Sequence, residues 1–131
     1  MNVGLDTSVV LRLLLGQPVE QAKRALAFLE EAAKRGDRAV VSDLVVAEAY
    51  FALQYHYGVP KKEALAALRR MFADGEIESQ GVAAEVLHTD GLASAKPGLI
   101  DRLIQGGYVA SGGAMATFEK AAGKLKSVSV I

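Results

Sequence analysis

Four acidic side chains carry the chemistry available to this sequence: Asp6, Glu48, Asp101 and Glu119. Carboxylates gathered in one pocket repel one another, and become tolerable when a divalent cation neutralises them. With oxygen donors alone and no cysteine anywhere in the chain, the ion expected is Mg2+ or Mn2+ rather than Zn2+. Each acid also has a structural explanation. Asp6 is followed by Thr7 and Ser8, residue types that cap helices. Asp101 and Glu119 stand near expected helix starts, where the helix dipole favours a negative charge. Glu48 is harder to explain this way, because a carboxylate inside so apolar a helix costs several kcal/mol unless it is paired or metal-bound.

The elements that must position these acids follow from hydrophobic period and punctuation. Val3 and Leu5 alternate in residues 1–5, as expected of a buried parallel strand, and Asp6 falls at its carboxyl end, where ligands collect in open parallel sheets. A helix over 9–15 stops at Gly16-Gln17-Pro18, and Ala22, Leu26, Leu29 and Ala33 mark a second over 19–35. Ala39-Val40-Val41 reads as a strand running into a Ser42-Asp43 cap. The helix over 44–57 is apolar on nearly every side and is expected to be mostly buried. A helix over 61–72 carries Lys61, Lys62, Arg69 and Arg70 on its outer face. A short strand at 76–79 and a helix over 82–92 follow. Pro97 opens another helix, whose Gly106-Gly107 lowers helix propensity by roughly 1 kcal/mol per glycine. A strand at 114–118, a brief helix at 119–125 and a strand at 127–131 close the chain. Alternation of strand and helix implies an α/β fold with a parallel sheet covered on both faces.

Composition narrows the function classes. The 131 residues suit one domain, 1–131, and the 51% hydrophobic and 23% charged fractions are those of a compact chain. Formal net charge is zero, so attraction to a polyanion has to come from a local cluster of Lys and Arg. The absence of cysteine removes disulfides, zinc-thiolate sites and thiol nucleophiles, and fits a reducing, cytoplasmic setting. The most apolar run, 9–15, is interrupted by Arg12 and is too short to span a bilayer.

Leu5-Asp6-Thr7-Ser8-Val9-Val10, Val45-Val46-Ala47-Glu48, Leu99-Ile100-Asp101-Arg102-Leu103-Ile104 and Ala116-Thr117-Phe118-Glu119-Lys120 resemble, in order and spacing, the four acidic motifs of PIN domains. The length resembles that of small VapC-type toxins. The resemblance implies a three-layer α/β/α sandwich with a central, mostly parallel sheet, and a Mg2+-dependent (or Mn2+-dependent) endoribonuclease acting on single-stranded RNA. Asp6, Glu48 and Asp101 would be the principal metal ligands and catalytic residues. Glu119 would stand where the family usually has Asp. It also implies a homodimer and a cognate antitoxin protein as partner. The chain departs from the pattern at Gly98, where many relatives carry an additional acid.

Thr7 and Thr117 place hydroxyls beside the acids, in reach of a phosphate oxygen, while Ser8 is read as a cap. Arg12, Lys96, Arg102 and Lys120 lie within a few residues of the acids and are the candidates for phosphate contacts. Tyr50, Phe51, Tyr55 and Tyr57 are read as core or dimer contacts. The competing reading is a PIN-like scaffold that binds RNA or protein with little or no cleavage, since Glu119 and Gly98 both depart from the pattern. A response-regulator or phosphatase domain also begins with an acid after its first strand, but Ser8 occupies the position of the second acid the phosphatase form needs.

Overall fold

The computed structural model describes residues 1–131. The chain runs β1 (Asn2–Gly4), α1 (Thr7–Leu15), α2 (Val19–Lys34), β2 (Arg38–Val41), α3 (Asp43–Tyr55), α4 (Lys61–Met71), β3 (Ile77–Ser79), α5 (Ala83–Leu87), α6 (Leu99–Ala110), β4 (Met115–Thr117) and β5 (Val128–Val130), with 3-10 turns at Leu92–Ser94 and Lys120–Lys124. It is an α/β three-layer sandwich about a parallel sheet. β2 is paired on both sides, Val3 opposite Ala39 and Val40 opposite Glu78, while β4 and β5 form a second parallel ladder with Ala116 opposite Ser129.

Helix pairs make both crossovers, α1–α2 from β1 to β2 and α3–α4 from β2 to β3. Two right-handed crossovers that advance in the same direction leave their helices on one face of a sheet, and α1 does pack against α3 and α4. Val10, Val41, Val46, Leu53, Leu68 and Leu99 are the largest fully buried side chains of one core cluster.

Several elements differ from the sequence reading. The helix over 82–92 is only α5, which ends at Leu87 with His88 as its C-cap, and a left-handed Gly91 (φ 66°) then leads into a 3-10 segment. α6 starts at Leu99 and not at Pro97, since Gly98 before it is extended (φ −85°, ψ −160°). The helix expected at 119–125 is a 3-10 turn. The short strand at 76–79 is β3, fixed by pairing with β2 and by an Arg38–Glu78 ion pair of 2.6 Å. Gly106-Gly107 does not interrupt α6. A Cβ at Gly106 would lie 2.9 Å from Cγ2 of Val82, so the glycine permits the close approach of α6 to the start of α5.

α3 corrects a further expectation. It buries Val46, Ala49, Tyr50 and Leu53, yet Leu44 is 71% exposed, Phe51 45% and Tyr55 77%. Apolar residues all round a helix do not ensure burial, since folded surfaces retain much apolar area. Of the four aromatic residues read as core or dimer contacts, Tyr50 alone is buried.

Candidate functional site

Asp6 caps α1. Its Oδ1 accepts from the Ser8 hydroxyl at 2.6 Å and from the Val9 amide at 3.1 Å. The Ser8 bond and then the Val9 bond hold its carboxyl below the usual carboxylate range, against a small opposing effect of burial. Asp6 is thus an exposed, firmly ionised group at the carboxyl end of β1. Ser8, read as a cap, lies instead inside α1 and donates to the residue that does cap it, Asp6.

Thr7, the next residue, joins the first acidic segment to the second: its hydroxyl donates to Oε1 of Glu48 at 3.2 Å. α1 therefore meets α3 across a polar contact between residues 41 positions apart. Glu48 is exposed, so the burial argument for its being metal-bound does not hold. Its face of α3 looks to solvent, and no desolvation has to be offset.

Asp101 sits half-buried in the first turn of α6, where no protein group donates to its carboxylate. It lines a cavity of about 290 Å3 with Phe51, Tyr55, Lys61, Gly98 and Ile100. A Cβ at Gly98 would meet only the Ala95 carbonyl oxygen, at 3.9 Å. Glu119 is spent locally. It caps the following 3-10 turn through Ala121 N at 3.4 Å, and its own amide donates to the Thr117 hydroxyl at 3.0 Å.

The donor types, carboxylate and hydroxyl oxygens, suit a hard dication. Their placement does not form a ligand set, for no group of three His, Asp or Glu side chains is close enough to hold a metal ion. Three of the acids are engaged locally through one oxygen each: Asp6 on its own helix, Glu48 on Thr7 and Glu119 on its own turn.

The expected phosphate contacts divide. Arg12 is a structural clamp, donating to Gln21 Oε1 at 3.2 Å and to the Tyr57 hydroxyl at 2.9 Å, with its Nε buried and unpartnered. It ties α1 to α2 and to the turn after α3, beside a cavity of about 500 Å3 that Arg24 and Phe28 also line. Arg102 donates from Nε to the Pro97 carbonyl at 2.8 Å and so secures the approach to α6. Lys96 and Lys120 are exposed and take part in no ion pair.

Two features escaped the sequence reading. Ser42 alone caps α3, accepting from Val45 N at 3.2 Å. Asp43 reaches across to α5 and accepts from Val82 N at 3.1 Å and Ala83 N at 2.9 Å. Nothing in Ser42-Asp43 reveals a partner 40 residues on, though Gly81 is a trace of it: a Cβ there would stand 2.5 Å from the Asp43 carboxylate. The second feature is the aromatic wall beside Asp101, where the Phe51 and Tyr55 rings stack with centroids 6.1 Å apart and planes 23° apart. The i, i+4 spacing of these rings on one helix was its signal.

The fold is that of an α/β protein with helices crossing a parallel sheet, and the chain belongs to the PIN-domain family, whose model matches residues 3–118. The match takes in Asp6, Glu48 and Asp101 and ends one residue before Glu119. No curated protein and no solved structure matches the chain with significance. PIN-domain membership is consistent with nuclease-like, hydrolytic function. No helix is long and apolar enough to cross a membrane.

Proposed function

We propose that the protein is an endoribonuclease that hydrolyses phosphodiesters of single-stranded RNA with the help of Mg2+ or Mn2+. The observation that carries this reading is the Thr7–Glu48 hydrogen bond, which brings the segments of two acidic motifs together beside the carboxyl end of β1. Asp6, Glu48 and Asp101 are the principal residues in it, and Glu119 the peripheral one. Glu48, held at Oε1 by Thr7, keeps Oε2 available to take a proton from an attacking water. Asp6 stays ionised to orient water or a cation, while Lys96 and Lys120 offset the charge of the acids toward a phosphate chain. Thr117 supports Glu119 and not substrate in this arrangement. Asp6, Glu48 and Asp101 would hold the dication, Asp6 and Glu48 through the carboxylate oxygens that their present donors leave free.

In this proposal the protein acts as a single unit over residues 1–131, in the cytoplasm, as the toxin of a toxin–antitoxin pair restrained by a cognate antitoxin. It works as a homodimer. The dimer is supported by an apolar groove of about 540 Å3 between α3 and α6, lined by Leu44, Ala47, Ile104 and Tyr108, which a second copy would cover.

The test is cleavage of a labelled single-stranded RNA with Mg2+, Mn2+ or chelator. Cleavage that needs the metal and vanishes in Asp6→Ala supports the proposal; intact RNA, or cutting that Asp6→Ala leaves unchanged, removes it. A second reading, a PIN-like module that binds RNA or protein without cutting, is favoured by the absence of any three-ligand group. It expects no Mg2+-linked gain in melting temperature.

A further inference from the structure

The cavity beside Asp101 differs in chemistry from the apolar groove further along the same two helices. At the Leu44–Tyr108 end, side chains of Leu, Ala, Ile and Tyr predominate. At the other end the stacked Phe51 and Tyr55 rings line one cavity with Lys61, Gln54 and Asp101. Both rings are substantially exposed, and Lys61 is exposed and in no ion pair. The first turn of α4, which begins at Lys61, has no side-chain cap and carries Glu63, which offsets the positive helix end, so the cation of this cavity is Lys61 itself.

Flat, solvent-facing aromatic rings with a cation at their edge are what a nucleotide of a single strand requires: the base stacks on the ring and the phosphate meets the charge. A protein copy docking here would take Lys61 and Asp101 out of water, and although the two are opposite in sign they form no ion pair, so the desolvation cost disfavours it at this end. Gly98 keeps the floor open, since a side chain there would project into space that only the Ala95 carbonyl borders.

We infer that Phe51 and Tyr55, with Lys61, form a base-stacking subsite that holds an unpaired nucleotide of single-stranded RNA next to Asp101. The inference rests on the nuclease reading for its choice of ligand, but it concerns binding, and binding is measured without cleavage. The subsite holds a base by its face and not by its edge, so it tolerates any of the four bases. It also gives the neutral chain a local point of attraction for RNA that net charge does not supply.

The experiment is fluorescence anisotropy of a short labelled single-stranded RNA with the full chain in chelator, so that no cutting occurs. Tyr55→Ala and Phe51→Ala are each expected to weaken binding roughly 5- to 150-fold, the range of one lost base stack, and Tyr55→Phe to restore it. Lys61→Ala is expected to weaken binding and to lower the salt slope by about 0.7. An oligonucleotide abasic along its length keeps every phosphate and should bind wild type as weakly as the ring variants bind normal RNA. Circular dichroism checks that each variant is folded, and Tyr55→Phe keeps the test decisive if an alanine variant is not. Equal affinity of Tyr55→Ala and wild type, equal affinity for abasic RNA, or no binding by wild type overturns the subsite. So does a Tyr55→Ala variant that changes the mass of the protein in solution at unchanged RNA affinity, which assigns the rings to a second copy. RNA that is bound through Tyr55 but never cut with metal leaves the subsite standing and removes the nuclease reading alone.

Discussion

Replacing Asp43 by alanine removes the carboxylate that ties the start of α3 to the start of α5. Its oxygens accept from Val82 N at 3.1 Å and Ala83 N at 2.9 Å in partly buried surroundings. A charge-assisted hydrogen bond contributes roughly 1.5–3 kcal/mol, and an amide left without a partner costs about 1–3 kcal/mol. One carboxylate serves both donors and water reaches part of the site, so the expected loss is about 2–4 kcal/mol. For a chain of this length each kcal/mol lowers Tm by about 3–5 °C, giving a fall of roughly 6–20 °C. Asp43→Asn keeps one acceptor oxygen and should lose about half as much. Gly81→Ala drives a Cβ to 2.5 Å from the same carboxylate, an overpacking cost of about 1–3 kcal/mol, and that cost should largely disappear once Asp43 is alanine. Urea unfolding of the two single variants and the double variant measures this coupling directly. If Asp43→Ala stays within about 0.5 kcal/mol of wild type, or if the two costs simply add, the proposed tie between α3 and α5 is wrong.

Two further outcomes are expected. Asp6→Asn keeps a good cap on α1, since Asn and Asp rank alike there, so Tm at neutral pH should change little while RNA cleavage is lost. Because the folded carboxyl of Asp6 is lowered, its stabilising effect is present above the unfolded pKa and fades as pH falls through the folded value, so wild type should lose its small advantage over Asp6→Asn in acid melts. Gly98→Glu sets a carboxylate beside Asp101 in open space. Melting curves in a Mg2+ titration should then rise more steeply than for wild type, with about 2.7 kcal/mol of stabilisation at a hundredfold excess over Kd; a superimposable titration would count against metal binding at this edge.

How far the sequence revealed the molecule depended on the range of the interaction concerned. The parallel strands at Val3 and at Ala39-Val40-Val41, the stop at Gly16 and the Asp6 cap rest on contacts within a few residues, and all were legible. The weakly patterned strand at 76–79 was also found, although β2 rather than its own alternation fixes it. What failed was decided across the fold. α5 stopped at Leu87, short of the left-handed Gly91, and the start of α6 depended on the extended Gly98. For the site, the linkage of Thr7 to Glu48 follows the order of the motifs, but the exposure of Glu48 did not, because an apolar helix pattern cannot say which of its sides remains uncovered. The nearness of Arg12 to Asp6 was legible, but its hydrogen bond to Tyr57, 45 residues away, was not.

The bare backbone at Gly106 has a consequence for everything upstream on its helix. It lies five positions beyond Asp101, and α6 carries both as one rigid rod. A single methyl at 106 would press on Val82 and lever the rod outward, carrying the acid at its far end away from the sheet edge. A missing side chain thus acts as the spacer that sets how near α6 brings its carboxylate to the others.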